Sequence, residues 1–282
     1  MTRNNLPSNI QKPVKQAVAH PVFERLARLG YAAKGVVYFV VGFLAAQAAF
    51  GLGGRTTDTS GALRTIVSQP FGKFLLSILT VGLIGYVLWR LVQAIFNPES
   101  SRQTGKKQIA KRLGYTFSAL AYAGLALAAV QLIMGVGSSN RNSTEDWTAK
   151  LLAQPFGRFL VGLVGVIVIG VGIYYLYKAY KCKFLRHLKM QEMSIKERIW
   201  AKRAGRFGIA ARGIVFSIIG IFLIQAAHQS DASEAKGLGE ALATLGKQPF
   251  GPWILGLVAL GLIAYGIYSL TEARYRQIRN TP

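Results

Sequence analysis

The chain has 282 residues, 51% of them apolar, and its Lys and Arg outnumber Asp and Glu by 34 to 11. A soluble basic protein spreads its charge over amphipathic elements, whereas here the charges avoid long stretches altogether, a membrane pattern that requires no nucleic-acid partner. The single cysteine, Cys182, excludes an internal disulfide and a cysteine-based metal cluster.

Residues 1–24 form a basic segment with Pro7, Pro13 and Pro21 and no apolar core, so they do not read as a secretory leader. Six apolar stretches follow: Leu29–Phe50, Phe71–Phe96, Leu113–Val136, Phe156–Tyr180, Phe207–Ala227 and Trp253–Leu270. A helix needs about 20 mostly apolar residues to cross a hydrocarbon core of about 30 Å, and these stretches have that length. The first exceeds the 7–15 apolar residues of a signal segment, so it reads as an uncleaved span.

Flanking charge sets an expected orientation. The stretches beside both termini and between spans two and three and spans four and five hold 26 of the Lys and Arg residues; the other connections hold eight. Positive charge in short loops stays on the cytoplasmic side, so both termini are expected inside, with anionic lipid headgroups as partners there.

Gln-Pro-Phe-Gly occurs three times, at 69–72, 154–157 and 248–251. The helix after it keeps register without gaps: Trp89, Tyr174 and Tyr268 correspond, as do Ala94, Ala179 and Ala273. The helices before it align as Gly30, Gly114 and Gly208, then Tyr38, Tyr122 and Phe216, then Gln47, Gln131 and Gln225. The period is that of one helix hairpin with its loops. The repeats are placed at 25–98, 99–183 and 205–276, with a basic connection at 184–204 and a tail at 277–282. The expected fold is an all-α membrane protein, six transmembrane helices as three parallel helix-hairpin repeats in a quasi-threefold bundle. Each repeat also holds a short amphipathic segment around Leu63/Ile66, Leu151/Leu152 or Leu242/Leu245, too short to span. In the tetrapeptides Pro70, Pro155 and Pro249 are expected in the first helical turn, where a missing N–H costs nothing. Gly72, Gly157 and Gly251 are expected to allow close backbone approach, which makes the motif a structural turn.

The stretch Arg28-Leu-Gly-Tyr-Ala-Ala-Lys34-Gly35-Val-Val-Tyr38, its counterpart Ala204-Gly-Arg-Phe-Gly208-Ile-Ala-Ala-Arg212-Gly213 and the three Gln-Pro-Phe-Gly turns resemble the bacterial DUF1206 family, over about Pro21 to Arg276. The resemblance implies three tandem two-helix membrane repeats and carries over no active site. In the middle copy Ser118-Ala119 replaces the Lys/Arg-Gly pair.

Candidate site residues follow from the repeat. Gln47, Gln131 and Gln225 would converge as a polar ring if the hairpins surround a threefold axis; the plainer reading is interhelical hydrogen bonding or interface exposure. Lys34 and Arg212 occupy equivalent positions and are candidates for an anionic lipid or ligand, with snorkelling to the interface as the plainer reading. No acid falls inside the segments as bounded above, and His20, His187 and His228 lack metal-ligand spacing, so no metal or cofactor is expected. Trp89, Tyr174, Tyr175, Tyr177, Tyr265 and Tyr268 on one side, with Trp147 and Trp253 on the other, read as an interfacial aromatic belt. The connection 181–203 reads as a helix extension plus an amphipathic surface helix, touching headgroups or a protein partner. No catalytic motif is present, so the expected function is a non-enzymatic scaffold or accessory subunit, or alternatively a small channel or permease with a path between the repeats.

Overall fold

A computed structural model describes residues 21–96, 106–136 and 143–278. The basic segment up to residue 20 with His20, the linker at 97–105 and the tail from residue 279 lie outside the described residues. Six long helices are present: α1 (Pro21–Ala49), α3 (Gly72–Phe96), α4 (Lys106–Ile133), α6 (Gly157–Tyr180), α7 (Ile195–Gln229) and α9 (Gly251–Tyr275). Each is long and apolar enough to cross a membrane. Three short helices, α2 (Thr59–Val67), α5 (Ser143–Leu152) and α8 (Leu238–Gly246), join the two spans of each repeat. The chain is therefore an all-α, multi-pass membrane protein built as three tandem helix hairpins.

The packing order of the spans is α1, α3, α4 on one arm and α1, α9, α7, α6 on the other. Every neighbouring pair is antiparallel. In lipid no hydrophobic force joins helices, so close approach through small residues does the work. Gly35 of α1 meets the Gly266 backbone of α9, and its equivalent Gly213 of α7 meets Gly172 of α6. Gly42 against Ala259 and Gly220 against Gly165 repeat the pattern one turn on or more. The first helix of each repeat thus packs on the second helix of another, which is the cyclic relation of a quasi-threefold ring.

The ring is not uniform. Within the first repeat α1 and α3 pack, and within the third α7 and α9 pack, but α4 and α6 of the middle repeat do not pack on each other. The side-chain sizes account for this. In the outer repeats Gly82 faces Ala33 and Gly261 faces Ala211; a Cβ on Gly82 would lie 2.7 Å from that of Ala33. The equivalent pair in the middle repeat is Ile167 and Phe117, 56% and 66% exposed. Two bulky residues thus stand where two small ones close the other hairpins, and this pair of helices lacks the small-residue contact. Gly114 and Gly170, equivalents of the tightly packed Gly30 and Gly85, have nothing within 4 Å.

The short helices cover one end of the ring, the loop end. Asp58 caps α2 by accepting the Gly61 N–H at 2.7 Å, supplying an acceptor that the first helical turn lacks. α2 touches α4 of the next repeat and α5 touches α7 of the next. Gly237 and Gly239 complete the circuit: a Cβ there would meet Thr144 Oγ1 at 2.8 Å and the Asp58 N at 2.9 Å.

Each Gln-Pro-Phe-Gly closes with the Gly N–H donating to the Gln carbonyl, at 2.8, 2.9 and 2.7 Å. Phe71, Phe156 and Phe250 are left-handed, with φ of 59°, 63° and 60°. With proline second and a positive φ third, the motif is a type II turn. The helices begin at the glycine, so Pro70, Pro155 and Pro249 precede the first helical turn instead of sitting in it, because the turn needs proline at its own second position. The glycines do permit close approach, their Cα atoms lying against the carbonyls of Val67, Leu151 and Gly246.

The connection after α6 departs from an amphipathic surface helix. Two short 3-10 turns, Lys183–His187 and Met190–Glu192, precede α7, which starts at Ile195 with a Ser194–Glu197 capping box. Phe184 and Leu188 are buried, Phe184 lying edge-on to Tyr268 at 5.2 Å. The Lys189 N–H donates to the Tyr275 carbonyl at 2.8 Å, and Leu188 bridges Arg276. Apolar residues among the lysines are used to dock the connection on the end of α9.

A cationic and aromatic cluster inside the ring

The half of the ring nearer the chain termini contains ionised side chains. Lys34 is 2% exposed; its Nζ donates to Glu272 Oε2 at 3.1 Å and lies 5.0, 5.4 and 5.1 Å from the ring centres of Tyr31, Tyr86 and Tyr265. Glu272 also pairs with Arg276, which lies over Tyr31. Trp89 donates to the Tyr31 hydroxyl at 3.1 Å, fixing the edge of this cage. A buried charge is tolerable only when paired and hydrogen-bonded, and Lys34 meets both conditions.

Arg90 of α3 donates from Nε to the Tyr86 hydroxyl and from Nη1 to Gln93 Oε1, both at 2.8 Å. Lys178 of α6 stands at the register position of Gln93 and Glu272 and feels the Glu272 charge. Lys34, Arg276 and Lys178 therefore share one carboxylate, Glu272, with Arg90 beside them on Tyr86.

Arg212 differs. Its guanidinium carbon lies 5.1 Å from the ring centres of Tyr38, Tyr175 and Phe216 and 5.0 Å from that of Tyr265. Nη1 donates to the Tyr265 hydroxyl at 2.5 Å, while Nε is buried with no acceptor. It forms no ion pair among the described residues. Aromatic faces attract a cation by about 0.5–2 kcal/mol each, but they carry no neutralising charge. Among the described residues no carboxylate neutralises the Arg212 charge.

The position of these residues corrects the snorkelling expectation. α1 and α7 begin at Pro21 and Ile195, well before the apolar stretches at Leu29 and Phe207, so Lys34 and Arg212 stand further inside the bundle. Lys34 is held there by Glu272, which lies two residues past the stretch ending at Leu270 and within α9. Gln93, Lys178 and Glu272 sharing one register with opposite charge types was the sequence signal for this cluster. The aromatic belt also divides. Tyr174, Tyr177, Trp147 and Trp253 are exposed, as a belt requires, but Trp89, Tyr265 and Tyr268 are buried and build the interior.

The glutamines are not brought together. Gln47 is half-buried, Gln131 and Gln225 are exposed, and the helices that bear them do not pack along one another. The polar ring lies nearer the other end and is made of tyrosine, arginine and lysine instead. No group of three or more His, Cys, Asp or Glu capable of holding a metal occurs among the described residues.

Fold and cluster together define a membrane protein of three tandem two-helix repeats around a charged, aromatic interior. A family model described as "Domain of Unknown Function (DUF1206)" matches residues 29–97, 113–181 and 207–276, and the chain belongs to that family. It is similar to "Uncharacterized protein YxxB" of Bacillus subtilis (strain 168), 38% identical over 258 residues, covering 92% of this chain and 93% of that protein. No solved structure matches.

Proposed function

We propose that this is a non-enzymatic inner-membrane protein that takes an anionic ligand into its helix ring at Arg212, with both termini in the cytoplasm. The carrying observation is the Arg212 guanidinium, which meets aromatic faces and a phenol but no acid among the described residues, while the carboxylate of Glu272 is shared by Lys34, Arg276 and Lys178. A lone ionised side chain at membrane depth is costly and marks a ligand path or counter-ion site. This favours the expectation of a path between the repeats over that of a scaffold, which needs no uncompensated interior charge. The 26-to-8 division of basic residues supports the orientation.

The test is anion binding to purified protein in a neutral detergent, compared with Arg212→Gln. Removing a charge-assisted donor set should weaken binding by at least about tenfold. Equal binding by the two proteins would sink the reading.

The connection 181–203 contributes separately. Exposed Ile195, Ile199 and Trp200 stand beside Lys196, Lys202 and Arg203, a combination suited to the headgroup layer. Headgroup contact is the reading they support best; a protein docking there would bind less well once those three basic residues are neutralised.

A further inference from the structure

The gap in the middle repeat and the unneutralised arginine belong to one feature. Taking the anion-binding reading as its basis, we infer that the ligand is a phosphate-bearing anionic lipid that enters sideways between α4 and α6, its headgroup at Arg212.

Three observations support this. First, the ends of the ring are covered. At the loop end the short helices and their loops touch around the full circuit, through α2 on α4, α5 on α7, and Gly239 on Asp58. At the terminal end Lys34, Glu272 and Arg276 pair across α1 and α9, and the connection is bridged to Arg276 by Leu188. Among the described residues these contacts close the axial approach from water at both ends.

Second, the flank is open by sequence and not by accident of packing. Ile167 and Phe117 stand where the outer repeats place the closing pairs Gly82–Ala33 and Gly261–Ala211. The Tyr86 and Tyr265 that fill against Gly30 and Gly208 have Val171 as their middle counterpart, and Gly114 faces open space. The exposed flank is apolar, with Phe117, Leu120 and Leu127 on α4 and Leu163, Val166 and Ile167 on α6, which suits acyl chains.

Third, the two helices of the gap bring polar atoms to the arginine. Tyr175 of α6 lies in the Arg212 cage at 5.1 Å, and Tyr122 of α4 is within its electrostatic reach. Tyr122 is 7% exposed, and its hydroxyl lies beside that of Tyr38. A phosphate there would accept from Arg212 Nε, which otherwise has no acceptor, and from the Tyr122 hydroxyl, and supply the missing negative charge.

The experiment compares phosphatidylglycerol with glycerol 3-phosphate, the same phosphate chemistry without chains, on full-length protein in a neutral detergent. Native mass spectrometry follows the lipid and calorimetric titration the soluble phosphate. Three proteins are used: unaltered, Arg212→Gln, and Phe117→Ala with Ile167→Gly, which gives the middle repeat the small pair of its neighbours. Phosphatidylglycerol should bind the unaltered protein and lose at least about tenfold in affinity with Arg212→Gln. The paired substitution should likewise reduce lipid occupancy while leaving Arg212 in place. A single variant, Ile167→Gly, repeats the arm if the double variant does not elute as a folded monomer. Glycerol 3-phosphate binding as tightly as the lipid, unaffected by gap closure, would overturn lipid entry and keep the anion site. Failure of both ligands to distinguish Arg212→Gln from the unaltered protein would overturn the anion site as well. A second copy of the chain filling the gap, seen as a dimer crosslinked through Phe117→Cys in a Cys182→Ser background, would replace the lipid as occupant and overturn the inference.

Discussion

Lys34 and Arg212 stand at the same position of the first and third repeats and differ in their partners. Lys34 packs against α9, where Glu272 meets it at 3.1 Å. Arg212 packs against α6, whose residue at the register of Glu272 is Lys178. The repeat therefore delivers one cation to a carboxylate and the other to a region that already holds a cation. The repeat makes the two sites alike in register, and the residue on the neighbouring helix, Glu272 for one and Lys178 for the other, sets them apart: one cation is paired, the other is left with charge to spare.

The largest expected effect comes from breaking the closed half of this pair. Glu272→Gln leaves Lys34 and Arg276 buried without their carboxylate and should destabilise the protein by about 3–5 kcal/mol, read from unfolding in mild detergent. Arg212→Met removes an uncompensated cation and should leave stability unchanged or raise it, within about 1 kcal/mol, since no paired charge is stranded. Equal losses from the two substitutions would make Arg212 a structural residue and erase the contrast.

This contrast was only partly legible in the sequence. Spans, repeat and charge asymmetry rest on one-dimensional patterns, run length and register, and they emerged from the chain alone. The cluster rests on which helix faces which, and the decisive neighbours, α1 with α9 and α7 with α6, come from different repeats. Glu272 was missed because hydropathy falls off at Leu270, while the helix continues to Tyr275 and its last turn is shielded by α1 and the connection. Tyrosine carries the same ambiguity: its amphipathic ring serves an interface or a buried cation equally, and Tyr177 and Tyr265 took opposite fates. The glutamine register was real, but a shared register does not decide which way each helix turns its side chain.

A second comparison sets the closed hairpins against the open one. Gly82→Ile places the middle repeat's residue into the first, where its Cβ would meet Ala33 at 2.7 Å with backbone of Leu29 close behind. Overpacking of this kind costs about 1–3 kcal/mol, and α1 and α3 should separate, seen as a longer distance between spin labels at their exposed Phe39 and Ile84. If the hairpin absorbs isoleucine with no loss of stability and no change in that distance, residue size does not explain the open middle repeat.

The smallest expected effect concerns the three turns, which all repeats keep alike while the hairpins diverge. Phe71, Phe156 and Phe250 sit in the left-handed region, which costs an L-residue about 1–2 kcal/mol, yet each side chain is largely exposed and so recovers little of that by packing within the protein. Asparagine adopts the same φ more readily. Phe156→Asn should therefore leave the detergent-solubilised protein equally stable or more stable by up to about 1 kcal/mol. A strained, exposed aromatic kept at the same place in all three turns is accounted for by the lipid interface, where a phenylalanine ring is favoured and an amide is not. The same substitution should then reverse sign in phospholipid vesicles, destabilising the protein there. Stability lower in both media would assign the ring to packing within the protein, and higher in both would leave the positive φ at these turns without a membrane role.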